Sequence, residues 1–234
     1  YGGTALIDLG VSQLGVEDFR PAPVGTVYGA KTHDRVRQKT AGMGYELRWK
    51  KRGVISLGVQ KTDYSKSVVD PFTGALPVSK DSPWLYSATA AAYLADNVAL
   101  YGGYVRGLEE SEVAPVNAIN RGDAPPAIRT TQKDFGVRWG VSKGVTMVIG
   151  WFDVRKPYYN LDAASRFRRL GAIRNSGVEF SLSGQVAPGL TVVAGSIWLD
   201  SKLSGEEVDR GVIGKRPVGS FRLHNLANVN WKFP

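Results

Sequence analysis

Apolar and polar side chains alternate along most of the chain. Met43, Tyr45, Leu47 and Trp49 interleave with Gly44, Glu46, Arg48 and Lys50, and Ile55, Leu57 and Val59 with Ser56, Gly58 and Gln60. The same period of two runs through 135–141, 178–186 and 221–233, with a local break at Asn225 and Leu226. Successive side chains on a strand point to opposite faces, so the pattern predicts strands with one apolar and one polar face. Residues 4–12, 98–108 and 190–200 alternate less cleanly and are also read as strands. The Ala-rich stretch 88–95 has helical propensity. It is read as a strand because it lies, like the others, between a long polar segment and a short turn.

Four sharp breaks organise these segments: 50–53, 95–97, 142–144 and 187–189. Each holds a Gly, Pro, Asp or Asn suited to turn geometry. Their centres are 45, 47 and 45 residues apart. Between them run long polar connections over about 13–38, 66–83, 109–130, 158–175 and 201–219, which hold most of the prolines. Five units of strand, long loop, strand and short turn predict an all-β chain: an antiparallel up-and-down meander of about ten long strands.

Composition narrows the chemistry. The chain has 234 residues, with 28 Gly, 10 Tyr, 8 Phe and 6 Trp, a balance that favours strands and turns. The absence of Cys excludes a disulfide framework, a Cys zinc site and thiol catalysis, and two His leave little room for a His-based metal centre. No run approaches eighteen apolar residues, so no transmembrane helix is predicted. The chain begins at Tyr1 without Met or a leader and is expected to be a processed chain or an excised piece.

A half-buried sheet in water also alternates. Three features favour an outer-membrane barrel: strands of about ten residues with turns short at one end and loops long at the other, aromatics gathered near strand ends, and a polar face with both charge signs and many Ser, Asn and Gln that suits a watery or plugged lumen. Trp49, Trp139, Trp231 and Phe233 fall near the short turns, and Tyr64, Trp84, Tyr86, Tyr158 and Tyr159 near the long loops. A soluble β-rich binding domain, with the aromatics in its core, is the competing reading.

Several strings carry a resemblance. Residues 101–110, YGGYVRGLEE, are similar to a strand rising into a large outer loop in TonB-dependent siderophore receptors. Residues 126–139, PAIRTTQKDFGVRW, resemble that family's return strand, and 152–158, FDVRKPY, the next strand top. Residues 171–179, GAIRNSGVE, are similar to its G-x-x-R-x-x-G-V-E run; 187–191, APGLT, and 214–219, GKRPVG, follow in order. The match is close over about 84–234 and weaker before it.

The resemblance implies a section of a 22-stranded transmembrane barrel, spanning residues 1–234, that starts and stops at periplasmic turns. Alone it would be an open, curved sheet. The family's plug domain, its TonB box and the remaining strands are not in this sequence. The implied function is outer-membrane uptake of a ferric siderophore, driven by the TonB complex acting through the plug. No enzyme chemistry, protein-bound cofactor or protein metal site is implied, since the siderophore brings the iron ligands. Implied partners are the siderophore, the plug, the TonB complex, and outer-membrane lipid and lipopolysaccharide; no nucleic acid is expected. Long loops would be extracellular and short turns periplasmic. A self-contained ten-stranded barrel, either a porin-like channel or a membrane-embedded hydrolase, is the structural rival.

The net charge of +9 is local. Arg48, Lys50, Lys51 and Arg52 supply +4 at a short turn and are read as a solvated turn. Arg155, Lys156, Arg166, Arg168, Arg169 and Arg174, with Asp162, supply +5 around a long loop that also holds Tyr158, Tyr159 and Phe167. This second patch has three readings: an anion-attracting mouth for the siderophore, a contact with lipopolysaccharide phosphates, or a solvated hairpin. Arg suits planar oxygen ligands. The ligand-binding candidates are therefore Tyr104, Arg106, Glu109, Tyr158, Tyr159, Arg166, Arg168 and Arg169, with Arg106 expected in the lumen beside Tyr104. Glu46, Arg138, Glu179, Gln185, Arg222 and Asn228 are expected to face lumen water or the plug. The string Arg121-Gly122-Asp123 is read as coincidence, and His33 and His224 show no catalytic spacing.

Overall fold

Three turn residues fix short ends of the sheet. Gly144 and Gly189 adopt φ of 86° and 75°, a region costly for a side chain with a Cβ, and Lys51 takes φ 63° at the first turn. The structure is a computed structural model and describes residues 31–232. The strand expected at 4–12, and Phe233, lie outside those residues.

The described residues form one antiparallel sheet. Its strands are β1 (His33–Trp49), β2 (Gly53–Asp70), β3 (Gly74–Ala75), β4 (Ser79–Asp81), β5 (Trp84–Ala95), β6 (Val98–Glu109), β7 (Ile128–Ser142), β8 (Val145–Leu161), β9 (Phe167–Ala187), β10 (Leu190–Ser204) and β11 (Leu223–Trp231), with a one-turn helix α1 (Glu206–Asp209) before the last strand. The order is β1-β2-β5-β6-β7-β8-β9-β10-β11, with β3 and β4 paired to β2. Each long strand thus neighbours the next in sequence, as the meander predicts. All four short turns fall where the sequence placed them, and the Ala-rich segment is strand β5. Among the described residues the sheet does not close on itself.

The register sorts side chains onto two faces. One cross-strand row runs Tyr45, Leu57, Ala88, Tyr104; another runs Gly102, Phe135, Trp151, Val178, Trp198, Leu223. Among the described residues nothing covers this apolar face: Phe135 is 57% exposed and Met43 76%. The opposite face carries Glu46, Arg138, Glu179 and Asn228, as expected, and most of the glycines inside strands. Gly44, Gly58, Gly103, Gly136, Gly150, Gly177 and Gly195 all lie on it. Tyr101 shares that face, and its hydroxyl lies across Gly136 and Gly150, where a Cβ would stand 2.5 and 2.6 Å from it.

Loop boundaries required correction. The connection expected at 158–175 shrinks to residues 162–166, and β2 continues to Asp70. Tyr158, Tyr159, Arg168 and Arg169 therefore lie on strands. Ladder hydrogen bonds use backbone groups alone, so pairing continues past the point where side chains turn polar. At about 3.3 Å per residue, strands this long outreach an apolar band that needs only about ten residues. The excess projects at the long-loop end.

Candidate functional site

The long-loop end is built on alternate residues of β2. Thr62, Tyr64, Lys66, Val68 and Asp70 occupy the polar face and are all buried. What buries the outer ones is the β6–β7 loop, residues 110–127, folded over that face. Lys66 Nζ donates to Glu110 Oε1 at 2.6 Å and to the Ser111 carbonyl at 2.7 Å, with Asp34 at 3.4 Å. Arg121 Nε donates to Asp70 Oδ2 at 2.9 Å, while Asp70 Oδ1 accepts from the Phe72 and Thr73 amides. A buried Lys and a buried Asp persist only when paired and hydrogen-bonded. Burial alone would lower the Lys66 pKa, yet Glu110 and Asp34 outweigh it and hold it above its ordinary 10.5. Burial would raise the Asp70 carboxyl, but the two amides and Arg121 keep it below 3.8. Tyr64, expected in an aromatic girdle, belongs to this buried seam instead, at 3% exposure.

The same loop is fastened to its other neighbours. Asn120 Nδ2 donates to the Phe167 carbonyl at 2.9 Å and its Oδ1 accepts from the Phe167 amide at 2.8 Å. Ala114, Ala118 and Phe167 form a small buried cluster against Tyr159 and Leu161. Ser79 and Ser111 both donate to the Pro125 carbonyl, at 3.1 and 2.6 Å. Arg168 closes the ring, with Nε to Asp162 Oδ2 at 2.6 Å and Nη2 to Glu207 of α1 at 2.8 Å. Its hydrogen bond, with those of the Arg166 and Ala164 amides, keeps Asp162 below its ordinary 3.8. Connections that are far apart in sequence thus become one body.

That body carries an open cavity of about 360 Å³ lined by Val78, Asn120, Asp123, Tyr159, Arg168 and Arg169. Three of the eight sequence candidates line it: Tyr159, Arg168 and Arg169. Their charges differ in availability. Arg168 is spent on two carboxylates. Arg169 is exposed, donates to the Gly171 carbonyl at 3.1 Å, and pairs with no carboxylate among the described residues. Asp123 on the same wall balances that charge, so what the cavity offers is the hydrogen-bond donors of an exposed guanidinium beside an aromatic ring, which suits an oxygen-rich ligand.

The other five stand elsewhere. Tyr158 pairs with Gly171 on β9, and its hydroxyl accepts from Asn160 Nδ2 at 2.7 Å. Arg166 is exposed in the 162–166 loop. Glu109 lies at the end of β6, where Thr130 donates to it and Lys156 reaches it at 3.3 Å. Arg106 and Tyr104 correct an expectation: the register sets them on the apolar face, not toward a lumen. Tyr104 stacks with Tyr86 at 6.2 Å between centroids, and Arg106 donates to the Tyr86 hydroxyl at 2.7 Å. The sequence missed Val78, Asn120 and Asp123. Nothing local marks them, because their meeting depends on long-range packing of separate loops. Among the described residues no group of three or more His, Asp or Glu is placed to hold a metal ion.

An uncovered apolar face, a glycine-lined polar face and long connections gathered at one end define a section of β-barrel wall. The comparisons agree. The family model "TonB dependent receptor-like, beta-barrel" matches residues 3–234, and the chain belongs to that family. The ferrichrome receptor FcuA of Yersinia enterocolitica is 26% identical over 176 residues, covering 70% of this chain and 22% of that protein. The fold resembles the ferric preacinetobactin receptor BauA of Acinetobacter baumannii, with TM-score 0.70, 20% identity, and coverage of 87% of this chain and 31% of the other. It also resembles FpvA of P. aeruginosa, in a structure with bound ferric pyoverdine, with TM-score 0.69, 17% identity, and coverage of 86% and 26%. The chain spans less than a third of the length of these relatives.

Proposed function

We propose that this chain forms part of the wall and outer loops of an outer-membrane receptor that takes up a ferric siderophore. The observation that carries the reading is the cavity among three long-loop-end segments, with Tyr159 and Arg169 on its wall. A ferric siderophore is an oxygen-rich, often anionic complex. An exposed guanidinium attracts it, and an aromatic face packs against its planar or apolar parts. Family membership and the ferrichrome receptor relative support the same cargo class. In this reading the long loops are extracellular, iron is cargo held by the siderophore, and the chain makes and breaks no bond in it.

The plug and the TonB complex belong to the rest of the protein and its partners. The polar face suits a plug: glycines leave room for another backbone to approach, and Glu46, Arg138 and Glu179 offer polar contacts. A self-contained ten-stranded channel fits less well, because this chain spans less than a third of the receptors that it resembles. A soluble binding domain fits less well too, because the apolar face is bare.

The test is direct binding. The full-length receptor, purified in detergent, is titrated with ferric hydroxamate, ferric catecholate and ferric hydroxycarboxylate siderophores, following tryptophan fluorescence. Saturable quenching by one class, weakened in Arg169→Ala, supports the proposal. No binding by any class contradicts it.

A further inference from the structure

Two opposite charges on the wall of the long-loop cavity share it without pairing. Asp123 and Arg169 both line the space. Among the described residues the Asp123 carboxylate makes no hydrogen bond or ion pair, and the Arg169 guanidinium bonds only the Gly171 carbonyl. The other polar groups there are spent. Ser79 donates to the Pro125 carbonyl, both ends of the Asn120 amide hold the Phe167 backbone, and Arg168 is bound by Asp162 and Glu207. That last group sets one guanidinium against two carboxylates and so carries −1. Asp123 and Arg169 cancel, and the charged groups about the cavity keep that −1 as their sum.

Asp123 is held by its backbone. Gly122 turns at φ 79° before it, its carbonyl accepts from the Ala114 amide at 2.8 Å, and its amide donates to the Asn120 carbonyl at 3.1 Å. A residue already fixed in this way loses less freedom when a ligand meets it. Tyr159, 6.1 Å from Phe167 between ring centroids, adds an aromatic wall, and a cation gains from such a ring as well as from a carboxylate. Val78 and Ala124 bring apolar surface beside the carboxylate, where charges are screened less than in open water. A purely anionic complex is drawn to Arg169 and repelled by Asp123. A complex with an ammonium group as well satisfies both: its oxygens accept from Arg169, and its ammonium donates to Asp123.

We propose that this cavity selects a ferric siderophore that carries a protonated primary amine beside its iron-chelating oxygens, with Asp123 as the residue that reads the amine. The inference rests on the reading of the cavity as a siderophore site and narrows the class of siderophore it takes.

The probes are the ferric complex of desferrioxamine B, a linear trihydroxamate that ends in a primary amine, and the same complex N-acetylated. Both have one iron centre, and the acetyl cap removes the charge. Tryptophan quenching of the full-length receptor in detergent gives the affinity of each. Wild type is expected to bind the amine form about tenfold more tightly than the acetylated form. Asp123→Asn, which keeps the shape and removes the charge, is expected to bring the two forms level, and Asp123→Glu to keep the preference. Arg169→Ala is expected to weaken both forms alike. Equal binding of the two forms by wild type overturns the proposal, and that comparison needs no variant to fold. So does a preference that survives in Asp123→Asn with hydrogen exchange over 112–127 unchanged. If neither form quenches while a ferric catecholate or hydroxycarboxylate does, the amine reading fails and the receptor reading stands. If no ferric siderophore quenches, both fail.

Discussion

Arg121 donates a hydrogen bond from Nε to Oδ2 of Asp70 at 2.9 Å, tying the middle of the β6–β7 loop to the last residue of β2. The Arg-Gly-Asp string is thereby explained as structure. Arg121 is the fastening, Gly122 turns at φ 79°, and the Asp123 carbonyl accepts from the Ala114 amide at 2.8 Å. Arg121→Ala leaves Asp70 buried beside only its two amide partners. Hydrogen exchange of amides 112–127 in the full-length receptor is expected to speed up about tenfold, with β7 to β9 unchanged. Unchanged protection of the loop would show that the pair does not hold it.

Acid should release this loop end. Asp70 and Asp162 both sit below their ordinary 3.8 in the folded protein. A carboxyl with a lowered folded pKa contributes stability that is present above the ordinary value and lost as pH falls through the lowered one. Lys66 is the opposite case: it is held above 10.5, so its contribution is present below that pH and lost only as pH rises through the raised value. Spin labels at Glu112 and Thr73 are therefore expected to report a fixed separation from about pH 5 to about pH 10. The separation should broaden below pH 3.8. Broadening near pH 6 would mean that another group controls the loop.

Glycine on the polar face sets how closely strands and side chains approach. A Cβ on Gly177 would collide with the Trp198 carbonyl and come within 3.1 Å of the Phe152 ring. The carbonyl is backbone and cannot move aside without disturbing the β9–β10 ladder. Gly177→Ala is expected to cost about 1–3 kcal/mol or more. It should lower the heat-modifiable fraction of the full-length receptor in outer-membrane preparations. Gly107→Ala, where nothing lies within 4 Å of the added Cβ, is the matched control and should fold normally. Equal yields of the two variants would contradict this role.

Arg168 and Arg169 are neighbours with different work. Arg168 spans Asp162 and Glu207, so Arg168→Ala should loosen the 162–166 loop and α1 as seen by hydrogen exchange. Arg169 has no such duty. Arg169→Ala should weaken binding of an anionic ferric siderophore about tenfold with the loop exchange unchanged. The reverse pattern would exchange their roles.

Much of the architecture was legible because a lipid-facing wall imposes period two along every strand, and tight turns need particular residues. Trp139 and Gly144 mark their positions without help from the rest of the chain. Strand ends were less legible: Tyr158 and Arg168 look like loop residues because their side chains are polar, while their backbones pair. The face of Arg106 was misjudged because a single strand with Tyr on both faces, Tyr101 and Tyr104, carries no polarity signal. Only the register with Tyr86 and Phe135 settles it. The cavity was half legible. Its cationic wall lies in one basic stretch, but Val78 and Asn120 reach it through packing between distant loops.

The central claim is uptake. Cells deleted for the full-length receptor gene, starved of iron, are complemented with the intact gene or with its Tyr159→Ala, Arg169→Ala form, and 55Fe-loaded siderophore accumulation is followed with and without an uncoupler. The account predicts energy-dependent accumulation of one siderophore class with the intact gene, reduced in the double variant at equal receptor abundance. Accumulation that is equal in deleted and complemented cells, across all siderophore classes, would contradict it.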